Sequence, residues 1–171
     1  VVVAKNKLIE KGVEINIFKI PGKFLLGRTL AVQDFEKYSH FDFDRPASDP
    51  RSGMLPPKLS QMMINLTKDQ KKICLLDPCC GSGTVLQQAI ILGYKKVIGS
   101  DLSPKAVKDS ETNLMWLGHE LNKKINHELY VSDIRNLSVR IKRGSISAIV
   151  SEPDLGPPLR GGDPQRVIQK I

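Results

Sequence analysis

The segment Asp77-Pro78-Cys79-Cys80-Gly81-Ser82-Gly83-Thr84 stands between an apolar run and a helical pattern, and its residue types suit it to hold a ligand against the backbone. Glycine at 81 and 83 lets the chain turn tightly with no Cβ in the way, while Thr84 and the N–H groups after it open a helix. Such a turn binds a nucleotide-like ligand, although an isolated Gly-x-Gly serves equally well as a tight connection. A dinucleotide cofactor would prefer a third glycine, and position 86 is Leu. Eighteen positions past Gly83 stands Asp101, at the end of the next apolar run, where a carboxylate can accept both hydroxyls of an adenosine ribose. Asp133 ends a third run; there a carboxylate can accept from an adenine amine while the N–H of Ile134 donates to the ring. Each acid alone is more often a helix cap or a turn residue. Their joint placement on three successive strand ends is what predicts a pocket.

These residues resemble a known class. Asp77 to Thr84, Asp101-Leu102-Ser103-Pro104 and Ser132-Asp133 look like the first three motifs of class I S-adenosylmethionine-dependent methyltransferases. Arg45-Pro46 to Ser60, with Leu30 to Phe35, is similar to the THUMP-associated RNA methyltransferases, which modify guanine at its exocyclic N2 in tRNA. The likeness covers roughly Gly27 to Gly161. It implies an α/β, Rossmann-like doubly wound methyltransferase sheet, with S-adenosylmethionine as cofactor and RNA, tRNA in particular, as partner. Asp77, Gly81 and Gly83 would line the methionine and ribose side, with Cys79 and Thr84 in the same turn. Asp101, followed by Leu102, would hold the ribose, and Asp133 with Ile134 would frame the adenine.

The resemblance also places Ser151, Glu152 and Pro153 at the family's catalytic D/N-P-P-Y/F motif. Here the first position is Ser, Pro is kept at 153, and Asp154 replaces the aromatic. An exocyclic amine has its lone pair delocalised into the ring, so a methyltransferase must accept hydrogen bonds from its N–H groups and turn that lone pair toward the methyl. Glu152 could do this. The missing aromatic would normally stack on the base. The family has three further strands after the fourth, and the sequence stops soon after Val150. The expectation is a sheet truncated there, whose last strand is an unprotected edge prone to self-association, and a chain poorly active by itself.

The elements that must position these residues follow from the apolar pattern. Residues 13–20 and 24–32 flank Pro21-Gly22-Lys23 and predict an antiparallel hairpin. Residues 33–57 are polar and broken by prolines, which predicts an ordered loop or linker. Leu59, Met62, Met63 and Leu66 recur at helical spacing after a Pro pair, giving a helix over about 57–67. Strands at Ile73–Asp77, Val97–Asp101, Leu129–Val131 and Ser147–Val150 alternate with helices at Thr84–Leu92 and from Pro104 to about Leu117, the signature of a parallel sheet. The domain division expected is 1–35 for a small β-rich segment, read as a candidate remnant of an upstream RNA-binding region, 36–55 for a connecting loop, and 56–171 for the cofactor-binding domain.

Twenty-six Lys and Arg against eighteen Asp and Glu give a net charge of +8, which favours a polyanionic partner. Arg28, Arg45, Arg51, Lys58, Arg135, Arg140, Lys142, Arg143 and Arg160 suit RNA, although Arg140 to Arg143 reads as a solvated face. Cys74, Cys79 and Cys80 lie too close together to bridge easily and lack nearby His partners, so no metal is expected. Cys79 and Cys80 read as small packing residues, and Tyr94 and Trp116 as core aromatics. No apolar run reaches the roughly 18 residues of a membrane span and no secretory leader is visible, so a reduced, cytoplasmic setting is expected. The rivals are a non-catalytic RNA-binding protein that keeps the methyltransferase shape, an amino-methyltransferase acting on adenine or a glutamine amide, and, more distantly, a nicotinamide oxidoreductase.

Overall fold

The computed structural model describes residues 6–48 and 54–153. The chain divides into two compact units, Val1–His40 and Phe41–Ile171.

The first unit holds a single helical turn, α1 (Leu8–Lys11), and an antiparallel hairpin of β1 (Ile15–Ile20) and β2 (Lys23–Arg28). Ile20 pairs with Lys23, so the loop is Pro21-Gly22 and Lys23 already belongs to the strand. The second strand is shorter than its apolar composition predicts and stops at Arg28. At the open end the Thr29 hydroxyl donates to Glu14 and accepts from the Asn16 amide. Ile17, Phe24 and Leu26 are all more than half exposed.

Helix α2 (Phe35–Phe43) corrects the reading of 33–57 as irregular throughout. Asp34 Oδ1 accepts from the Lys37 N–H at 3.0 Å, the bond that an N-cap makes. Only Phe41 of this helix is buried, so no apolar stripe announces it. Phe41 and the residues after it belong to the second unit, where its ring meets Trp116 edge-on with centroids 6.1 Å apart.

In the second unit α3 (Pro57–Leu66) precedes a repeating strand–helix pattern: β3 (Cys74–Asp77), α4 (Thr84–Ile91), β4 (Lys96–Asp101), α5 (Pro104–Glu120) and β5 (His127–Val131). A 3-10 helix (Ile134–Val139) and the two-residue β6 (Ala148–Ile149) follow. All four strands are parallel, in the order β5-β4-β3-β6. Successive strands move outward from β3 to β5, and the chain then returns to the other side of β3. That reversal puts the topological switch point of the sheet at β3 and β6, and open α/β sheets bind ligands beyond the carboxyl ends of the strands at such a point.

Alternation along each strand divides the core between the two faces. Leu75 and Val97 pack with Leu86, Ala89, Leu114 and Leu117, all fully buried, while Cys74, Leu76 and Ile98 meet Tyr130, Ile141 and Ile146 on the other side. Burial on both faces is what a parallel sheet demands. The four predicted strands and the helices between them are thus present, with α5 three residues longer than its apolar spacing predicts.

Candidate functional site

Asp77 closes β3 and is 2% exposed. Its Oδ1 accepts from the Cys79 N–H at 3.1 Å and from the Ser151 hydroxyl at 2.7 Å. Burial pushes its carboxyl up to about 6, against the pull of those two hydrogen bonds, and the charges of Asp101 and Glu152 push the same way. One atom of β3 therefore joins the start of the glycine turn to the loop that follows β6.

The turn is held from three sides. The Gly81 N–H donates to Asp101 Oδ2 at 3.0 Å, and the Ser103 N–H to Asp101 Oδ1 at 2.9 Å. The Ser110 hydroxyl donates to Gly81 O at 2.7 Å, and the Asn113 amide to Ser82 O at 2.8 Å. Gly81 and Gly83 have φ of +52° and +86°, a region that other residues enter only with strain. A Cβ at Gly83 would come within 2.9 Å of Ser110 Oγ, whereas one at Gly81 would project into open space, leaving room for a ligand against the backbone. Thr84 opens α4 and its hydroxyl accepts from Arg45 at 2.5 Å.

Ser110, Asn113 and Arg45 were not picked out as part of this site by sequence. Ser110 and Asn113 lie three apart on α5, in line with the buried Leu114 and Leu117, so polar residues within an apolar stripe were the available signal. Arg45 corrects its reading as an RNA contact: its side chain is 1% exposed, burial lowers its pKa, and its Nε has no partner. The Ala47 backbone, two residues on, is bound at both its N–H and its carbonyl by the Asn113 side chain.

Asp133 takes the role of a cap. It accepts from the Arg135 N–H at the start of the 3-10 helix, and both its oxygens are held by the Arg135 guanidinium, at 2.6 to 3.1 Å. Those contacts bring its carboxyl down to about 2. Ile134 opens that helix and is 54% exposed, while Leu102 is 72% exposed at the end of β4. Ser151 is half-buried, and Glu152 and Pro153 are exposed. Asp154, Arg51 and Arg160 lie outside the described residues.

The cysteines are free thiols. Burial pushes Cys80 up to about 12, so it is no nucleophile at neutral pH. Tyr94 is buried in the core and Trp116 packs against it. Arg140, read as part of a solvated face, lies over the Tyr130 ring, 5.6 Å from its centroid. Among the described residues no group of three His, Cys, Asp or Glu could hold a metal ion, and no helix is long and apolar enough to cross a membrane.

A parallel sheet with its order reversed at β3, a glycine turn at the first crossover and an acid tying that turn to the next strand define a Rossmann-like, methyltransferase-type domain. The chain belongs to the RMKL-like methyltransferase domain family, whose profile matches residues 46–160. Two curated relatives are tRNA (guanine(10)-N2)-dimethyltransferases. That of Methanothermobacter thermautotrophicus is 34% identical over 139 residues, 80% of this chain and 38% of the relative. That of Methanocaldococcus jannaschii is 27% identical over 158 residues, 90% of this chain and 43% of the relative. The chain thus spans about two fifths of the length of these relatives. In fold it is similar to TrmN from Thermus thermophilus, with a TM-score of 0.53 at 20% identity, over 84% of this chain and 40% of that one.

Proposed function

We propose that this chain is the catalytic core of an S-adenosylmethionine-dependent RNA methyltransferase that acts on the exocyclic N2 of guanine in tRNA. The observation that carries the reading is the junction at Asp77, where the glycine turn and the loop after β6 share one acceptor atom. The name borne by the curated relatives supports the choice of acceptor.

The residues fit the cofactor. Open space above Gly81 and the N-terminus of α4 behind it give the methionine part a place against the backbone. Asp77, Cys79, Gly81, Gly83 and Thr84 form that wall, Asp101 with Leu102 stands at the ribose, and Asp133 with Ile134 at the adenine. Asp133 reaches the adenine amine by giving up part of its contact with Arg135. Bound there, the cofactor supplies an electrophilic methyl. Of Ser151, Glu152 and Pro153, Glu152 carries the free carboxylate, able to accept the amine N–H and the proton released as nitrogen gains the methyl.

Lys58, Arg135, Arg140, Lys142 and Arg143 are exposed and are the cations assigned to the RNA backbone. Ile149, 62% exposed, marks an outer edge of the sheet that no other described strand pairs with, and self-association through it belongs to the same proposal. Three free cysteines favour a reducing, cytoplasmic setting.

Calorimetry and tritium transfer test the reading together. Saturable S-adenosylmethionine binding that weakens in Asp101→Ala, with label transferred to guanine N2 of tRNA by the whole protein, is the expected result. Unchanged affinity in that variant overturns the site. Binding without transfer to any nucleic acid or protein favours the non-catalytic RNA-binding reading, and transfer to adenine or glutamine instead moves the acceptor.

A further inference from the structure

The cofactor turn and the loop after β6 lie far apart in sequence and meet because β3 and β6 are neighbours, Leu76 beside Ile149. Asp77 Oδ1 receives one hydrogen bond from each side. We propose that Asp77 and Ser151 form a clasp through which the cofactor turn sets the stance of the acceptor loop, so that Ser151 is a positioning residue and Glu152 is the group offered to the acceptor amine. This deepens the guanine-N2 reading and rests on it.

The Ser151 hydroxyl has a single proton, and it is committed to Asp77 at 2.7 Å. Side chains leaving a strand alternate in direction, and here Ser151 is half-buried against β3 while Glu152 is exposed. Glu152 is still near enough for its charge to be felt at Asp77. The other groups facing Asp77 are Cys79 and Cys80 from the turn and Asp101 from the end of β4. None of these is a cation, so the carboxylate keeps its charge through hydrogen bonds, and the bond from Ser151 is the largest opposing its burial. Removing that hydroxyl frees the loop and raises the pH at which Asp77 takes up a proton. The hydroxyl oxygen keeps lone pairs of its own, so the loss of rate in Glu152→Gln is what assigns the acceptor role to Glu152.

The test compares Ser151→Ala, Ser151→Thr and Glu152→Gln in the whole protein. Single-turnover methyl transfer, cofactor calorimetry and the carboxyl carbon signal of Asp77 across pH are measured for each. Ser151→Ala is expected to slow transfer on the order of tenfold, the scale of one hydrogen bond to a charged group, with cofactor affinity unchanged. Its Asp77 titration and the acid limb of its rate profile move to higher pH, and Ser151→Thr restores both. Glu152→Gln is expected to slow transfer while moving the Asp77 titration to lower pH, since a like charge is lost. An Asp77 titration unmoved in Ser151→Ala, or an unchanged rate, overturns the clasp. Should the wild type bind cofactor yet methylate no guanine amine, the guanine reading fails, and the clasp is still decided by the Asp77 signal.

Discussion

Leu86 lies against Gly99 so closely that a Cβ at 99 would come within 2.6 Å of its Cδ1. In a dinucleotide-binding turn the third glycine sits on the helix and lets it approach the sheet. Here the helix position is a fully buried Leu, and the glycine stands on β4 opposite. The close approach is kept and its geometry is mirrored, with a large side chain filling the seam.

Adding a methyl at that seam forces Leu86, Leu129 or the strand to shift. Gly99→Ala is therefore expected to lose about 1–3 kcal/mol, and Leu86→Ala, which empties the seam, about 2–5 kcal/mol. Urea midpoints for the two variants and for the double variant measure this. The double variant should lose less than the sum of the two, because the new methyl enters the cavity the leucine leaves.

Asp77 gives stability an inverted pH dependence. Its carboxyl rises from an unfolded value of 3.8 to about 6 on folding, so between those values the folded chain binds more protons than the unfolded one. Its contribution is thus fully present below 3.8 and is lost as pH rises through 6. Asp77→Asn removes that loss while keeping an acceptor oxygen for Cys79 and Ser151. It is expected to be more stable than wild type by up to about 3 kcal/mol at neutral pH, with the gap closing on acidification toward about pH 4. Denaturant titrations at both pH values check it; a gap independent of pH would show that Asp77 is ionised at no cost.

Arg135 competes for Asp133. If Asp133 frames the adenine, Arg135→Ala should tighten S-adenosylmethionine binding and raise the carboxyl from about 2 toward its ordinary value. Calorimetry with that variant decides the matter. Unchanged affinity would leave Asp133 as a cap of the 3-10 helix and no more.

Arg45 and Arg140 should separate by salt. Losing an exposed phosphate contact reduces the slope of log affinity against log salt by about one, whereas losing a buried cation leaves it alone. Arg140→Ala is expected to flatten the slope for tRNA binding, and Arg45→Met to keep it while weakening the hold on Thr84. A flattened slope for Arg45→Met would place that guanidinium on RNA.

The strands and the glycine turn were legible because burial on both faces leaves short apolar runs, and because the turn requires glycine at two fixed places. Phe35–Phe43 was hidden, since a helix with one buried residue has no period to detect. Arg45 was misread for a related reason: cations usually face water, and its burial depends on Thr84, 39 positions away. At Asp133 the sequence offered two roles for one acid, cap and ligand. Nothing in the pattern showed that Arg135 holds both carboxylate oxygens.

The return of the chain across β3 brings Ser151 to Asp77 over a separation of 74 residues. Grip and reach are therefore encoded in different stretches of the polypeptide, joined by a single proton between two side chains. On the clasp proposed above, changes after β6 that keep the Ser151 hydroxyl would redirect which nitrogen is presented while leaving its bond to Asp77 in place, so domains of this design would diverge in target while sharing one way of seating their methyl donor.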